Sequence, residues 1–157
     1  REHTSPNPVS TYRQPGLEEE KGHLFSNEPY RGDGLDQAFK ASLINQPEQS
    51  IHSIYSSMNG ENHWAKEYGV AFLRNRKAFK DPVYVEHPAD CYGDIGSATA
   101  TALISLAAEN LFKNDLAQAH LVYSSSDTAK RGAIVVKKIA LETMVSQSAN
   151  NQHVRDS

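Results

Sequence analysis

The sequence contains a single cysteine, Cys91, among its 157 residues. One thiol excludes an internal disulfide, and no cysteine and histidine pairs stand at zinc-finger spacing. This sparing use of cysteine suits a reducing compartment, so we predict a cytoplasmic location. We expect neither a cofactor nor a metal.

Long apolar runs and a strong charge of one sign are also missing. The longest apolar stretch, residues 98–108, is interrupted by Thr99, Thr101 and Ser105 and is too short to span a bilayer. The formal net charge is −3, and acidic and basic residues are mixed along the chain. We therefore predict a soluble protein with neither nucleic-acid nor membrane partners.

The two ends of the chain have few apolar side chains. Residues 1–30 open with a polar, proline-rich stretch, which buries too little apolar surface to offset the entropy of an ordered chain. We predict that they form a linker or a loosely ordered arm, and that the polar residues 146–157 form a flexible tail. The organised domain is then expected over residues 31–145.

Apolar periodicity between these ends predicts alternating helices and strands. Leu35, Ala38, Phe39 and Leu43 recur at steps of three and four residues, which is typical of an amphipathic helix. Residues 51–57 are instead rich in β-branched and aromatic side chains, as strands are. The same criteria predict a helix from residue 62, a strand over 82–86, a helix over 93–112, strands over 119–124 and 133–139, and a short closing helix over 141–145.

The last two strands are joined by a polar turn without a helix, so they should pair as an antiparallel hairpin. The helix before them is rich in small residues, which would let another backbone approach closely. We predict that this helix is buried and forms an interface through Gly96, Ala98, Ala100 and Ala102. The order of elements indicates an α/β fold with a mixed sheet.

Two segments carry a resemblance to a known family. HPADCYGDIGSATATALISLAAENLF (residues 87–112) and HLVYSSSDTAKRGAIVV (residues 120–136), in this order of elements, resemble the C-terminal half of the β-ketoacyl synthase branch of the thiolase fold. The most specific part is residues 93–98, which are similar to the glycine-alanine turn that opens the family's buried helix. The resemblance covers residues 31–139 and implies a thiolase-like half-domain.

The residues that catalyse condensation in this family are replaced here. Active members carry a histidine three residues before the first glycine of that turn and a lysine five residues earlier still, and these places hold Asp90 and Val85. A carboxylate at residue 90 would repel the negative charge that develops on a thioester enolate. The family's nucleophilic cysteine belongs to the N-terminal half, so the resemblance implies a half-domain without condensing activity.

Four residues are candidates for a site nevertheless. His87, Asp90 and Cys91 lie close together in sequence, and an imidazole beside a thiol or carboxylate can bind a metal or activate a thiolate. Their spacing matches no standard site, so a loop that caps the following helix is favoured. His63 is either the remnant of a second family histidine or a residue of a helix start capped by Asn62, and the helix start is favoured.

Two classes of function follow. The first is a non-catalytic thiolase-like module that acts through protein–protein association, as a homodimer or with a separate N-terminal half. Thiolase-like proteins without the condensing residues are associated with bacterial type VI secretion gene clusters, so the resemblance implies a secretion accessory protein. The alternative is part of a β-ketoacyl synthase or related acyltransferase acting on acyl thioesters, with His87 or His63 as the base; a domain that binds an acyl chain is a third possibility.

Overall fold

A mixed β-sheet with helices on both faces forms the part of the chain that the structure describes. The computed structural model describes residues 10–12, 15–21, 27, 29, 31–57, 62–87, 98–125 and 129–139. The elements are β1 (Ser10–Tyr12), β2 (Gly16–Glu19), α1 (Asp33–Leu43), β3 (Ile51–Ser56), α2 (Asn62–Arg74), a 3₁₀ turn (Arg76–Ala78), β4 (Phe79–Glu86), α3 (Ala98–Lys113), β5 (Ala119–Ser125) and β6 (Lys130–Lys138).

The sheet has six strands that fill five positions. Its order is β1, β6, β5, β3, β4, and β2 pairs with β6 alongside β1. β3 runs parallel to both β4 and β5, whereas β6 is antiparallel to β5, with Leu121 opposite Val135 and Tyr123 opposite Ala133. The predicted α/β class, the mixed sheet and the antiparallel C-terminal hairpin are therefore confirmed.

Each face of the sheet has its own apolar core. Side chains alternate between the faces along a strand, so Leu121 and Tyr123 of β5 join the core under α1 and α2, and Val122 joins the core under α3. The first core includes Leu35, Phe39, Ile51, Ala71 and Phe79. The second includes Tyr55, Leu103, Ala107, Leu111 and Val136.

The N-terminal arm, predicted from composition as a linker or loosely ordered arm over residues 1–30, contributes two strands to the sheet, at residues 10–12 and 16–19. Both segments pair antiparallel with the outer edge of β6. Backbone hydrogen bonds with an existing strand supply the order that local composition does not. The predicted boundaries at residues 31–145 and 146–157 stay predictions.

Two other elements differ from expectation. β4 starts at Phe79 rather than residue 82, with Pro82 inside it, which an edge strand tolerates because its outer N–H groups need no strand partner. The helix predicted to be buried is buried on one side only: Leu103 is in the core, whereas Ala102 is exposed. The start of this helix predicted at residue 93 and the closing helix over 141–145 lie outside the described residues.

Candidate functional site

The parallel strands β3, β4 and β5 all end at one edge of the sheet. β3 lies between the other two, and the connections out of β3 and β4 run through α2 on one face and α3 on the other. Open α/β sheets bind ligands outside the carboxyl ends of the strands, where the connections change face. That point lies here between Ser56 at the end of β3 and Ser125 at the end of β5, which makes it the first candidate site.

The topology brings two of the sequence-predicted residues towards this edge. His87 is half-buried and follows β4 directly, and His63 is the second residue of α2, after β3. The side chain of His63 lies outside the described part of the structure, as do the residues Asp90, Cys91 and Gly96. Their predicted roles stay predictions.

The buried Tyr123, the half-buried Tyr68 and a serine lie together at this edge on the α2 side of the sheet. The Ser56 hydroxyl donates a hydrogen bond to the hydroxyl oxygen of Tyr123 at 2.7 Å, and the ring of Tyr68 stacks on that of Tyr123 at a centroid separation of 5.8 Å. Burial raises the pKa of Tyr68 to about 12 and raises the pKa of Tyr123 as well. Both phenols are therefore neutral at physiological pH and neither is a phenolate base.

A buried ion pair lies beside this cluster. Nε of Arg131 in β6 donates to Oε1 of Glu67 in α2, and both side chains are almost fully buried. Nη1 of Arg131 also donates to the carbonyl oxygen of Lys130 at 3.0 Å. The Glu67 carboxylate therefore has the guanidinium of Arg131 as a partner inside the protein, and the pair joins α2 to β6.

Hydrogen bonds also link the end of β3 to the end of β5 at this edge. The backbone N–H of Ser125 donates to the hydroxyl oxygen of Ser57 at 3.2 Å, and the N–H of Ser57 donates to the carbonyl oxygen of Tyr123 at 3.3 Å. Among the described residues, these hydrogen bonds tie the end of β3 to the end of β5.

A second buried polar group lies under α3. The ring of His120 is 1% exposed, and it lies 5.3 Å from the ring of Tyr55 and 5.9 Å from that of His52, measured between centroids. Neither ring nitrogen of His120 has a hydrogen-bond partner in the described part of the chain. Burial, with the charges of His52 and Lys138, lowers the pKa of His120 to about 4. His120 is therefore a neutral core residue at physiological pH.

An apolar groove runs between α3 and the strands β2 and β6. It encloses about 370 Å³ and has mainly apolar walls. Ala100, one of the predicted interface residues, lines it on the α3 side, and Leu17 of β2, which is 74% exposed, lines it on the opposite side. The other apolar side chains along it are Pro15, Ile104, Val122, Ala133 and Ile134.

The exposed side of α3 adjoins this groove and carries no charged residue before Glu109. Thr101, Ala102 and Ser105 are exposed, and the first charged residue of the helix is Glu109. We call the exposed side of α3 together with the groove the α3 surface. Ala100 and Ala102 lie on it, whereas the side chain of Ala98 lies outside the described residues.

The remaining observations identify no ligand. The described residues contain no group of three or more histidine, cysteine, aspartate or glutamate side chains able to hold a metal ion. In that same part of the chain no helix has the length and apolar character needed to cross a membrane. Comparison with protein-family models found no match, and comparison with curated proteins found none either.

Proposed function

We propose that the protein is a non-catalytic thiolase-like module that acts through protein–protein association at the α3 surface, as an accessory protein of bacterial type VI secretion. The observation that carries this proposal is the one-sided burial of α3. Leu103, Ala107 and Leu111 pack on the sheet, while the exposed side up to residue 108 carries no charge.

The composition of that exposed side supports a contact with another protein. A helix on the surface of a monomer normally presents charged residues to solvent, and in the part of α3 before Glu109 the exposed positions are Thr101, Ala102 and Ser105. The adjoining groove adds the exposed side chain of Leu17. An exposed apolar side chain beside a mainly apolar groove is typical of a protein–protein interaction site.

The small side chains on α3 also fit a particular kind of partner. The distance between packed helices is set by the side chains at their contact, so alanine, serine and threonine allow a close approach. In the family that the sequence resembles, the central helices of two halves pack between two sheets. The partner we propose is therefore a second thiolase-like half, from another copy of this chain or from a separate N-terminal half.

The chemistry of the strand edge supports the non-catalytic part of the proposal. The family's catalytic lysine and histidine positions hold Val85 and Asp90. Glu67 is paired with a guanidinium, and the described tyrosines there are neutral. The alternative function, an acyltransferase that acts on acyl thioesters, requires a base at His87 or His63.

A charge on the α3 surface tests the association. We expect Ala102→Glu to weaken self-association, or association with the N-terminal half, at least tenfold, because a desolvated carboxylate without a partner is costly at an interface. Sedimentation equilibrium measures the dissociation constant. Ala65→Glu is the matched control, because Ala65 is also an exposed alanine on a helix, on the other layer of the molecule.

Two outcomes would overturn the proposal. If Ala102→Glu and Ala65→Glu both leave the dissociation constant of the complex unchanged, the contact is not on the α3 surface. If the purified chain turns over acyl thioesters and His87→Ala abolishes that turnover, the module is an enzyme and the non-catalytic interpretation is wrong.

A further inference from the structure

Phe112 is an exposed aromatic residue near the C-terminal end of α3. It is 41% exposed, whereas Leu111 beside it is buried in the core under the helix. Thr101 and Ser105, which are also exposed, share a side of the helix with Phe112, because residues spaced by four and seven positions lie on one helix face. The exposed side of α3 therefore has small side chains near its start and an aromatic ring in its last turn.

The groove of the α3 surface lies towards the other end of the same helix. Ala100 and Ile104 line it on the α3 side, so it is level with residue 102. At about 1.5 Å per residue, Phe112 lies about 15 Å further along the helix axis, and it does not line the groove of its own chain. One copy therefore carries a large apolar side chain and an apolar groove that are out of reach of each other.

A twofold axis between two copies would bring these two features together. The partners in a twofold interface present the same patch, so the patch has to be complementary to itself. If two α3 helices lie antiparallel with the axis level with residue 107, halfway between residues 102 and 112, each Phe112 is level with the groove of the other copy. One symmetric arrangement therefore covers both rings and fills both grooves.

The surfaces that would meet in this arrangement suit each other. The groove encloses about 370 Å³ and has mainly apolar walls, and an aromatic ring is the side chain that gains most from burial against such walls. Between the two grooves the helices would meet through Thr101, Ser105 and Ala108. These small side chains allow the helix axes to approach closely, so each ring can reach the groove opposite.

The charged residues of α3 favour the antiparallel direction. They are Glu109 and Lys113, which pair with each other within one helix. In the antiparallel arrangement Glu109 is level with Ser105 of the other copy, and Lys113 is level with Thr101, both of them uncharged. A parallel pair in register would place each charge level with the same charge of the other copy, which is unfavourable at an interface, and would leave both grooves empty.

We propose that the protein forms a homodimer in which the α3 helices of two copies pack antiparallel and Phe112 of each copy occupies the groove of the other. This inference rests on the proposed function, because it uses the same α3 surface, and it commits that surface to a second copy of the chain. Phe112 is then the anchor of the interface. Aromatic anchors in pockets carry a large share of the binding free energy of such contacts.

Two substitutions in the full chain test the contact from its two sides. Phe112→Ala removes the ring, and Ala100→Phe fills the groove from within its own chain. Each should raise the dissociation constant of the dimer by at least about tenfold in sedimentation equilibrium, the effect expected at an interface anchor. Leu73→Ala is the matched control and should leave the constant unchanged, because Leu73 is a 73% exposed apolar residue on α2, in the other layer.

The double variant distinguishes a direct contact from two separate effects. With Ala100→Phe and Phe112→Ala in one chain, each filled groove meets a small side chain in place of a ring. The dissociation constant should then return to within about threefold of that of the unmodified protein, whereas substitutions at sites that do not touch have additive effects. Melting followed by circular dichroism checks that each variant is folded. If Ala100→Phe lowers the melting temperature, Ile104→Phe is the second groove-filling variant.

Three results would contradict this dimer and leave the association at the α3 surface standing. The first is a chain that is monomeric alone and associates only with a separate N-terminal half. The second is a dissociation constant that Ala102→Glu raises but Phe112→Ala and Ala100→Phe do not, which means that the surface associates in another arrangement. The third is additive weakening in the double variant, which shows that Phe112 does not contact the groove. If Ala102→Glu has no effect either, the proposed function fails as well.

Discussion

Neutralising Glu67 should strongly destabilise the fold. Its carboxylate is fully buried and accepts a hydrogen bond from the equally buried guanidinium of Arg131. Glu67→Gln preserves the shape of the side chain and an acceptor oxygen but removes the charge. The buried guanidinium then loses the charge of Glu67, so the free energy of unfolding should fall.

The expected loss is about 3–5 kcal/mol, the usual cost of removing one partner of a buried ion pair. For a chain of 157 residues, each 1 kcal/mol lowers the melting temperature by about 2–4 °C. Glu67→Gln should therefore melt roughly 6–20 °C below the unmodified protein by circular dichroism. Lys66→Gln, an exposed neighbour on the same helix, is the control and should change stability by less than about 0.5 kcal/mol.

A second substitution separates charge from packing. Arg131→Met added to Glu67→Gln removes the cation as well as the anion of this pair, so the double variant should recover at least half of the lost stability. If Glu67→Gln unfolds within about 1 kcal/mol of the unmodified protein, below the range for a broken buried pair, our account of this ion pair is wrong.

Three further variants test the cores and the arm. His120 has a folded-state pKa of about 4, below its ordinary value, so its contribution to the free energy of unfolding is full above pH 6.5 and is lost as the pH falls towards 4. In urea titrations, His120→Leu should remove about 2–3 kcal/mol of this pH-dependent loss of stability. Glu20→Ala should cost about 1–3 kcal/mol in urea unfolding, because Gly34 loses its acceptor. Leu103→Ala should cost about 2–5 kcal/mol, because it opens a cavity under α3.

Each of these three predictions has its own contradicting result. If the free energy of unfolding of His120→Leu depends on pH as it does in the unmodified protein, His120 is not the group that binds the proton. If Glu20→Ala is no less stable than Glu19→Ala, which alters an exposed residue, the Glu20 carboxylate does not stabilise the start of α1 through the N–H of Gly34. A loss below about 1 kcal/mol in Leu103→Ala, well under the range for a buried leucine, would show that α3 is not packed on the sheet as described.

Local patterns predicted most of the domain core. The helix stripe of Leu35 and Phe39 and the β-rich segment 51–57 were each placed within two residues of the observed elements α1 and β3. The C-terminal hairpin was predicted because its two strands are joined by a polar turn. In each of these cases the signal lies within the element itself.

The features that sequence reasoning missed depend on contacts between distant residues. β1 and β2 have polar, proline-flanked sequences and exist because β6 offers a free edge. Glu67 was not predicted to be buried, although it stands four residues before the buried Ala71 on the same face of α2. A charged residue at a core-facing helical position was the available signal, and only its pairing with Arg131 from β6 explains it.

The molar mass of the purified chain in solution, measured by light scattering alone and after co-expression with its genomic neighbours, tests the proposed association most directly. One chain has a mass of 17.4 kDa. We expect a mass of two chains, or a complex with a thiolase-like N-terminal half, that Ala102→Glu dissociates. A monomer under both conditions, with α3 fully folded, would contradict it.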